Sequence, residues 1–582
     1  MSEPISEWDM FHGNVSHDGL VTGSSISSEN AANLAVHYSK EVGGSILSVP
    51  AISGGSIYVG TANGTTVTNG APSATGSTVA GDNAQGELLA DGGSFHRIDL
   101  ETGDTIASYF WQIDRAQGDT HGFTGMGCTP AVVDGRVYFS AFDGRLRCLD
   151  AETLALIWIT DLRLADLEKN QPVTNNAGVD KGNPQPEGWS SPLVVNGRVY
   201  VGMGEGENPD LYAFLYCVDA DNGVVDWIFC LNQFEDGIRN CPNVLPLDVV
   251  DPDTLPASFS ISDATVTAKG NCIWTALTYD PDLDRIYGVT GNPTPDSGLV
   301  NAPYYSYGML CLDASNGTEV GFFQAPPKSN YRDSDIDIDF GASPMLFERD
   351  GRKICAAQCK NGTLFLVDAE TMECVNARQM LPYYNDGGRI PSVDPHTNLK
   401  DDGASDPNQP RTNHESDTTF AENLYGGYST PAVYPGGQML FVGSGGNNYH
   451  YTAPGIDSAT TPFMRAVNWE TLEDVWAMDD SDPRKYINSA PPMYETPGES
   501  GLSSPTVVND VVICTTSKIA LYVFDANSGT PLFTDHFGMQ TGGFNGGYGY
   551  CLGAAVSGDY IVAGALVLGR DGGILRVYKV SE

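Results

Sequence analysis

"TPAVVDGRVYFSAFDGRLRCLDAETLALIW", residues 129–158, crosses a series of short apolar stretches and ends on a tryptophan. Pro130-Ala131-Val132 leads to Gly135, Val137-Tyr138-Phe139 leads to Gly144, and the run to Leu149 enters an Asp-containing turn before the last apolar stretch. That spacing predicts a four-stranded antiparallel meander. The turn residues suit it, because Asp bonds the backbone two residues on and Gly supplies the positive φ of a hairpin. The unit recurs. The same turn reads "IDLETGDTIASYFW" from Ile98, "VDADNGVVDW" from Val218, "LDASNGTEVGFF" from Leu312, "VDAETMECV" from Val367, "VNWETLEDVW" from Val467 and "FDANSGTPLF" from Phe524.

Seven such turns and a closing stretch, "GAAVSGDYIVAGALVLGRDGGILRVYKV", count out about eight units, the last expected to pair with a strand near the N-terminus. One meander cannot bury both of its faces, so the units are expected to stack radially, with Trp158, Trp227 and Trp476 packed between neighbours. The expected fold is all-β, an eight-bladed β-propeller of four-stranded antiparallel blades forming a single domain over residues 1–582. Long inserted loops, at about residues 61–94, 163–188, 232–270, 377–426 and 477–500, are expected on one face of the disc. The repeat aspartates, Asp313 included, read as turn formers.

Composition narrows the function. Thirty Lys and Arg against 73 Asp and Glu give a formal charge of −43, which disfavours nucleic acid and anionic membranes as partners. No apolar run is long enough to span a bilayer, and "MSEPISEWDM" lacks a signal-peptide core, so the expectation is a soluble chain. Twelve cysteines form no Cys-x-x-Cys pair and no Cys-x-x-Cys-His haem sequence. Cys148, Cys217 and Cys311 read as buried, and Cys230, Cys241 and Cys272 are close enough in sequence to allow one disulfide.

"SDIDIDFGASPML", residues 334–346, sets Asp335, Asp337 and Asp339 on alternate positions, which in an extended strand points the three carboxylates to one side. Such like charges repel unless a cation or a reaction gives them work.

The repeat consensus resembles the tryptophan-docking repeat of the quinoprotein alcohol dehydrogenases, eight-bladed propellers that hold pyrroloquinoline quinone (PQQ). "WTALTYDPDLDRIYGVTGNPTP", residues 274–295, is similar to a segment of that family in which Trp274 would be the quinone's stacking floor and Asn292 a donor to the bound cation. "VYVGMGEGEN", residues 199–208, resembles the strand and loop ending in the metal-binding glutamate, with Glu207 on that position and Glu205 as a nearby substitute. "DIDIDFGASPML" with the following "KICAAQCKNGTLFLVDAET" is similar to the polyvinyl-alcohol-dehydrogenase-like branch, where Lys360 would face the quinone carbonyls.

The resemblance implies PQQ with Ca²⁺ or a lanthanide held by Glu207, Asn292, Asp337 and Asp339, hard oxygen donors of the kind such cations take. It implies that Asp337 or Asp339 removes the proton of an alcohol, secondary or polymeric, as hydride passes to the quinone, with Lys360 stabilising the reduced oxygens. No covalent haem is expected, so electrons would leave to a separate acceptor such as a cytochrome c, in a periplasmic or secreted setting. Two features depart from the family. The adjacent cysteines of its second blade are replaced by Cys128 alone, and the quinone-carboxylate contacts fall on Leu47 and Cys128, leaving Arg97, His121 and Arg332 as possible cations. The alternative reading is a non-catalytic propeller that binds a protein or, through "GGNNYHYTAPG", a polysaccharide.

Overall fold

The computed structural model describes residues 7–63, 92–112, 124–162, 188–203, 213–231, 271–292, 305–325, 339–360, 362–380, 427–443, 464–476, 503–516, 519–536, 552–567 and 573–581, with short strand segments between some of them. The expected meander over 129–158 is present as Ala131–Val133, Arg136–Ser140, Arg145–Asp150 and Leu156–Asp161, paired in that order. Eight such sheets make the propeller. The sixth shows three strands, with Asp474 bridged to Val467 where a fourth begins. The eighth takes its outer strand, Leu34–Glu41, from near the N-terminus, antiparallel to Ile574–Val580, as the sequence predicts.

The repeat turns form as their chemistry dictates. Asp150 Oδ1 accepts from Thr153 N at 2.7 Å, Asp313 Oδ1 from Ser315 N at 2.9 Å, and Asp525 Oδ1 from Ser528 N at 2.7 Å. The bonds from Thr153, its hydroxyl first, hold the Asp150 carboxyl below its ordinary range. The left-handed residue closing each turn is chosen by the neighbouring blade. Where that blade presents a tryptophan the residue is glycine: a β-carbon on Gly223 would lie 2.8 Å from the Trp158 ring, one on Gly317 2.6 Å from Trp227, and one on Gly529 2.8 Å from Trp476. Where the neighbour presents Gly321 the position holds Met372, whose Cγ would be 2.9 Å from a β-carbon there. Trp158 and Trp476 also donate Nε1–H to the carbonyls of Ala220 and Ala526, at 3.1 and 2.9 Å. The predicted packing of tryptophans between blades is thus observed.

Hydroxyls join the heads of the inner strands in series from the second blade to the seventh. Ser191 Oγ accepts from Thr129 N at 2.9 Å, Ser343 Oγ from Ala276 N at 3.0 Å, Thr430 Oγ1 from Ser343 N at 3.0 Å, and Ser504 Oγ from Thr430 N at 3.1 Å. Between the third and fourth blades the sense reverses, and Ser190 Oγ donates to the Thr275 carbonyl at 2.7 Å.

Residues 8–21 run round the axis against the innermost strands. Trp8 exchanges both backbone bonds with Ile52, and Val132, Tyr279, Leu346, Val433 and Val507 donate N–H groups to the carbonyls of Asp9, Val15, Ser16, Asp18 and Gly19 at 2.7 to 2.9 Å. Leu20–Val21 then pairs with Thr506–Val508, in parallel. Buried in this segment, His12 lies 2.8 Å from the Pro505 carbonyl and His17 3.3 Å from that of Pro344.

In a meander of this kind the connections from fourth to first strand and from second to third leave from the same end of the blade. The long insertions anticipated from the sequence all fall on those two connections, and most of their residues lie outside the described set. No described helix is long and apolar enough to cross a membrane.

Candidate functional site

Two adjoining blades use one device at that end. In the fifth, Lys360 N donates to the Asp339 carbonyl at 2.7 Å while Phe340 and Cys359 form an antiparallel bridge. In the fourth, Asn271 N donates to the Asn292 carbonyl and Gly291 N to the Cys272 carbonyl, both at 2.8 Å. Each pairing draws the residues ahead of a first strand onto those after the second, so Asn292 and Lys360 hold corresponding places in consecutive blades. Gly291 allows close approach: a β-carbon there would sit 3.3 Å from Asp339 Oδ2.

The side chains converge on Asp339. Lys360 Nζ lies 2.8 Å from Oδ1, and Trp274 Nε1 donates to Oδ2 at 2.9 Å. The Lys360 ammonium is 5.0 Å from the centroid of the Trp274 ring and 5.6 Å from that of Tyr428, and the two rings meet edge to face at 6.1 Å. The Lys360 and Asp339 side chains are 9% and 3% exposed, so both charges have largely left water and their mutual contact must offset the desolvation. Beside them Cys359 is buried, and burial followed by the charge of Asp339 pushes its thiol well up, into the unreactive neutral form.

Of the residues expected from the sequence, Trp274, Asp339 and Lys360 are brought into one cluster, and Asn292 lies next to Gly291 at its edge, itself only 7% exposed. Glu205, Glu207, Asp335, Asp337, His121, Arg332 and Cys241 fall outside the described residues. Arg97 does not reach the site: it sits late in strand Gly92–Asp99, toward the opposite end of its blade, and donates to Ser56 Oγ and the Glu152 carbonyl at 3.0 and 2.6 Å. Leu47 and Cys128 belong to an apolar cluster and provide no anion contact. The Cys128 thiol, pushed up to about 11 by burial, bonds the Ser140 carbonyl at 3.2 Å. Cys230 and Cys272 are both buried. Among the described residues no group of three or more His, Cys, Asp or Glu could hold a metal ion, so Asn292 and Asp339 are the described part of the expected donor set.

Sequence reading missed Tyr428. It enters from the sixth blade because two glycines let the chain close in. A β-carbon on Gly427 would fall 1.6 Å from the Cys359 carbonyl oxygen, and one on Gly341 would fall 2.7 Å from the Gly427 carbonyl oxygen and 3.1 Å from both Lys360 Cγ and Tyr428 Cδ1. The Gly-Gly-Tyr run ahead of Ser429-Thr430-Pro431 was the available signal.

Residues 91–371 match the family PQQ_2, described as outer membrane protein assembly factor BamB. In sequence the chain is similar to the dehydrogenase subunit of the alcohol dehydrogenase (quinone) of Komagataeibacter europaeus, 27% identical over 293 residues, which covers 48% of this chain and 37% of that protein. It is also similar to the quinohemoprotein alcohol dehydrogenase of Comamonas testosteroni, 24% identical over 302 residues, covering 49% of this chain and 38% of the relative. The match therefore spans little more than a third of these relatives' length. In fold the chain matches the crystal structure of the latter enzyme with a TM-score of 0.61 and 17% identity, covering 99% of this chain and 80% of that one. A europium-containing methanol dehydrogenase matches with a TM-score of 0.60 and 15% identity, covering 99% and 98%.

Proposed function

We propose, from the chain's kinship with the quinoprotein alcohol dehydrogenases, that it is a PQQ-dependent alcohol dehydrogenase acting on the CH–OH group. The observation that carries this reading is the buried constellation of Asp339, Lys360 and Trp274, set on a propeller of the same fold. Buried ion pairs also occur elsewhere in the blades, as between Arg147 and Asp143, so what supports the reading is this pair's place at the insertion-bearing end together with the Trp274 ring and the Asn292 amide beside it.

The residues fit the cofactor. Trp274 offers an indole face, Lys360 a cation for the quinone oxygens, and Asp339 with the Asn292 amide offers oxygen donors suited to Ca²⁺ or a lanthanide, to which Glu207 and Asp337 are proposed as further ligands. When bound, PQQ supplies the two-electron acceptor. The chain itself handles the proton. Lys360 engages Asp339 Oδ1 and Trp274 engages Oδ2, which fixes the carboxylate's orientation, and Asp339 accepts the hydroxyl proton of the alcohol. The secondary or polymeric substrate and the branch assignment rest on the likeness of "DIDIDFGASPML" to polyvinyl-alcohol-dehydrogenase-like sequences. The proposed electron acceptor is a separate cytochrome c or similar carrier, and the proposed compartment is the periplasm or the medium.

The test adds PQQ and Ca²⁺ to purified protein and follows bound-quinone absorbance and alcohol-dependent dye reduction. Both are expected, with Asp339→Asn keeping the absorbance and losing the dye reduction. Absence of absorbance and of any thermal shift with either addition would favour the scaffold reading that the matched family's description suggests.

A further inference from the structure

The proposed chemistry leaves Tyr428 without a task, yet it comes from the next blade to lie against the one ammonium of the cluster. Lys360 Nζ has the Trp274 ring at 5.0 Å, the Tyr428 ring at 5.6 Å and Asp339 Oδ1 at 2.8 Å. The rings are edge to face, so their two faces and the carboxylate bound the ammonium on different sides. An ammonium drawn toward an aromatic face gains electrostatically, and gains most where water is excluded, as it largely is here. A four-carbon stem is otherwise loose and loses its rotamer freedom only if something holds the head.

We propose that Tyr428 is a positioning residue: its ring, with that of Trp274, cages the Lys360 ammonium and holds it on Asp339 Oδ1. The ring face does this, so phenylalanine suffices and an aliphatic side chain does not. Gly341 and Gly427 belong to the same device, since a β-carbon at either would meet the backbone that brings the ring to the lysine. The cage serves the proposed site because Lys360 is then held ready for the quinone oxygens without leaving the base. This role rests on the dehydrogenase reading, but the cage is measured with no quinone present.

The experiment follows amine modification of Lys360 by a small aldehyde with borohydride, read by peptide mass spectrometry on the full chain. The neighbouring Cys359 thiol is followed in parallel with a maleimide. Tyr428→Phe is expected to leave the Lys360 rate within about twofold, whereas Tyr428→Leu raises it about tenfold with Cys359 still protected, the size expected of a lost contact worth about 1 to 2 kcal/mol. A merely structural Tyr428 would expose Lys360 and Cys359 together, because Cys359 is the adjoining residue and only 2% exposed. An unchanged lysine rate in Tyr428→Leu, a parallel rise of both labels, or an equal rise in Tyr428→Phe each overturns the proposal. If Tyr428→Leu does not fold, Tyr428→Met, unbranched and without a π-face, carries the same comparison. Quinone absorbance on the wild-type chain separates failure of the cage from failure of the dehydrogenase reading.

Discussion

Asp339 and Lys360 show how a single pair decides both stability and chemistry. Removing one partner leaves the other charge buried and uncompensated, which costs on the order of 3 to 5 kcal/mol, whereas removing both leaves far less to repair. Asp339→Asn and Lys360→Met are each expected to lower the unfolding free energy by that order, and the D339N/K360M double variant to recover most of the loss. Denaturant unfolding of the three proteins checks this, and additive losses in the double variant would mean that the pair is not coupled. Trp274, Asn292, Asp339 and Lys360 were legible because each sits in a local motif with its own sequence neighbours. Tyr428 was not, because its role arises only when glycines 341 and 427 let separate blades touch, and a contact across blades leaves no spacing in the chain.

At the scale of the repeat, the exchange between the tryptophan of one blade and the turn glycine of the next makes a size match that sequence periodicity only half reveals. The recurrence of Asp, Gly and Trp gave the meander and its count; the pairing of Gly321 with Met372 shows why some repeats lose both the tryptophan and the glycine together. Gly135 and Gly317 have nearly the same φ, +73° and +72°, but a β-carbon meets nothing within 4 Å at the first and the Trp227 ring at 2.6 Å at the second. Gly135→Ala is therefore expected to cost about 1 kcal/mol from the left-handed conformation alone, and Gly317→Ala about 1 to 3 kcal/mol more from overpacking. Equal losses in urea unfolding would refute a docking role for that glycine. The hydroxyl series has its own signal in the sequence: Thr129-Pro130, Ser191-Pro192, Ser343-Pro344, Thr430-Pro431 and Ser504-Pro505 repeat a hydroxyl-proline dipeptide at the head of the inner strand.

Over the whole molecule, the segment at the axis ties acid stability to two buried imidazoles. Burial, with the charge of His12 second, lowers His17 to about 3, and burial also lowers His12. A base whose folded pKa lies below its unfolded value leaves the unfolded chain binding the extra proton, so stability falls as pH drops through about 6.5 and the loss is complete near 3, at a slope of about 1.4 kcal/mol per pH unit. Asp9, raised to about 6 chiefly by burial, acts oppositely, adding stability as pH falls through that value. The difference between the wild-type chain and His17→Asn isolates the histidine: the variant's urea midpoint is expected to fall less between pH 7 and pH 4. Parallel curves would show that His17 is not neutral in the folded protein. None of this was readable in advance, since residues 8–21 carry no repeat and acquire their place only from strands scattered through the chain.

The pairing of Leu34 with Val580 and of Glu41 with Ile574 also sets a timetable. Leu34–Glu41 is made long before the three other strands of its sheet, so its pairing closes a long loop, and non-local contacts of that kind are slow to form. A nascent chain must keep that strand edge unmatched while the intervening blades are made, when such an edge can recruit a stranger. A circular permutant that starts in the connection between the second and third blades, after Leu162 and ahead of Gly188, and joins residue 582 to residue 1 would place all four strands of that sheet together in translation order without dividing another blade. It is expected to refold faster than the natural order in a dilution experiment and to aggregate less, at similar equilibrium stability.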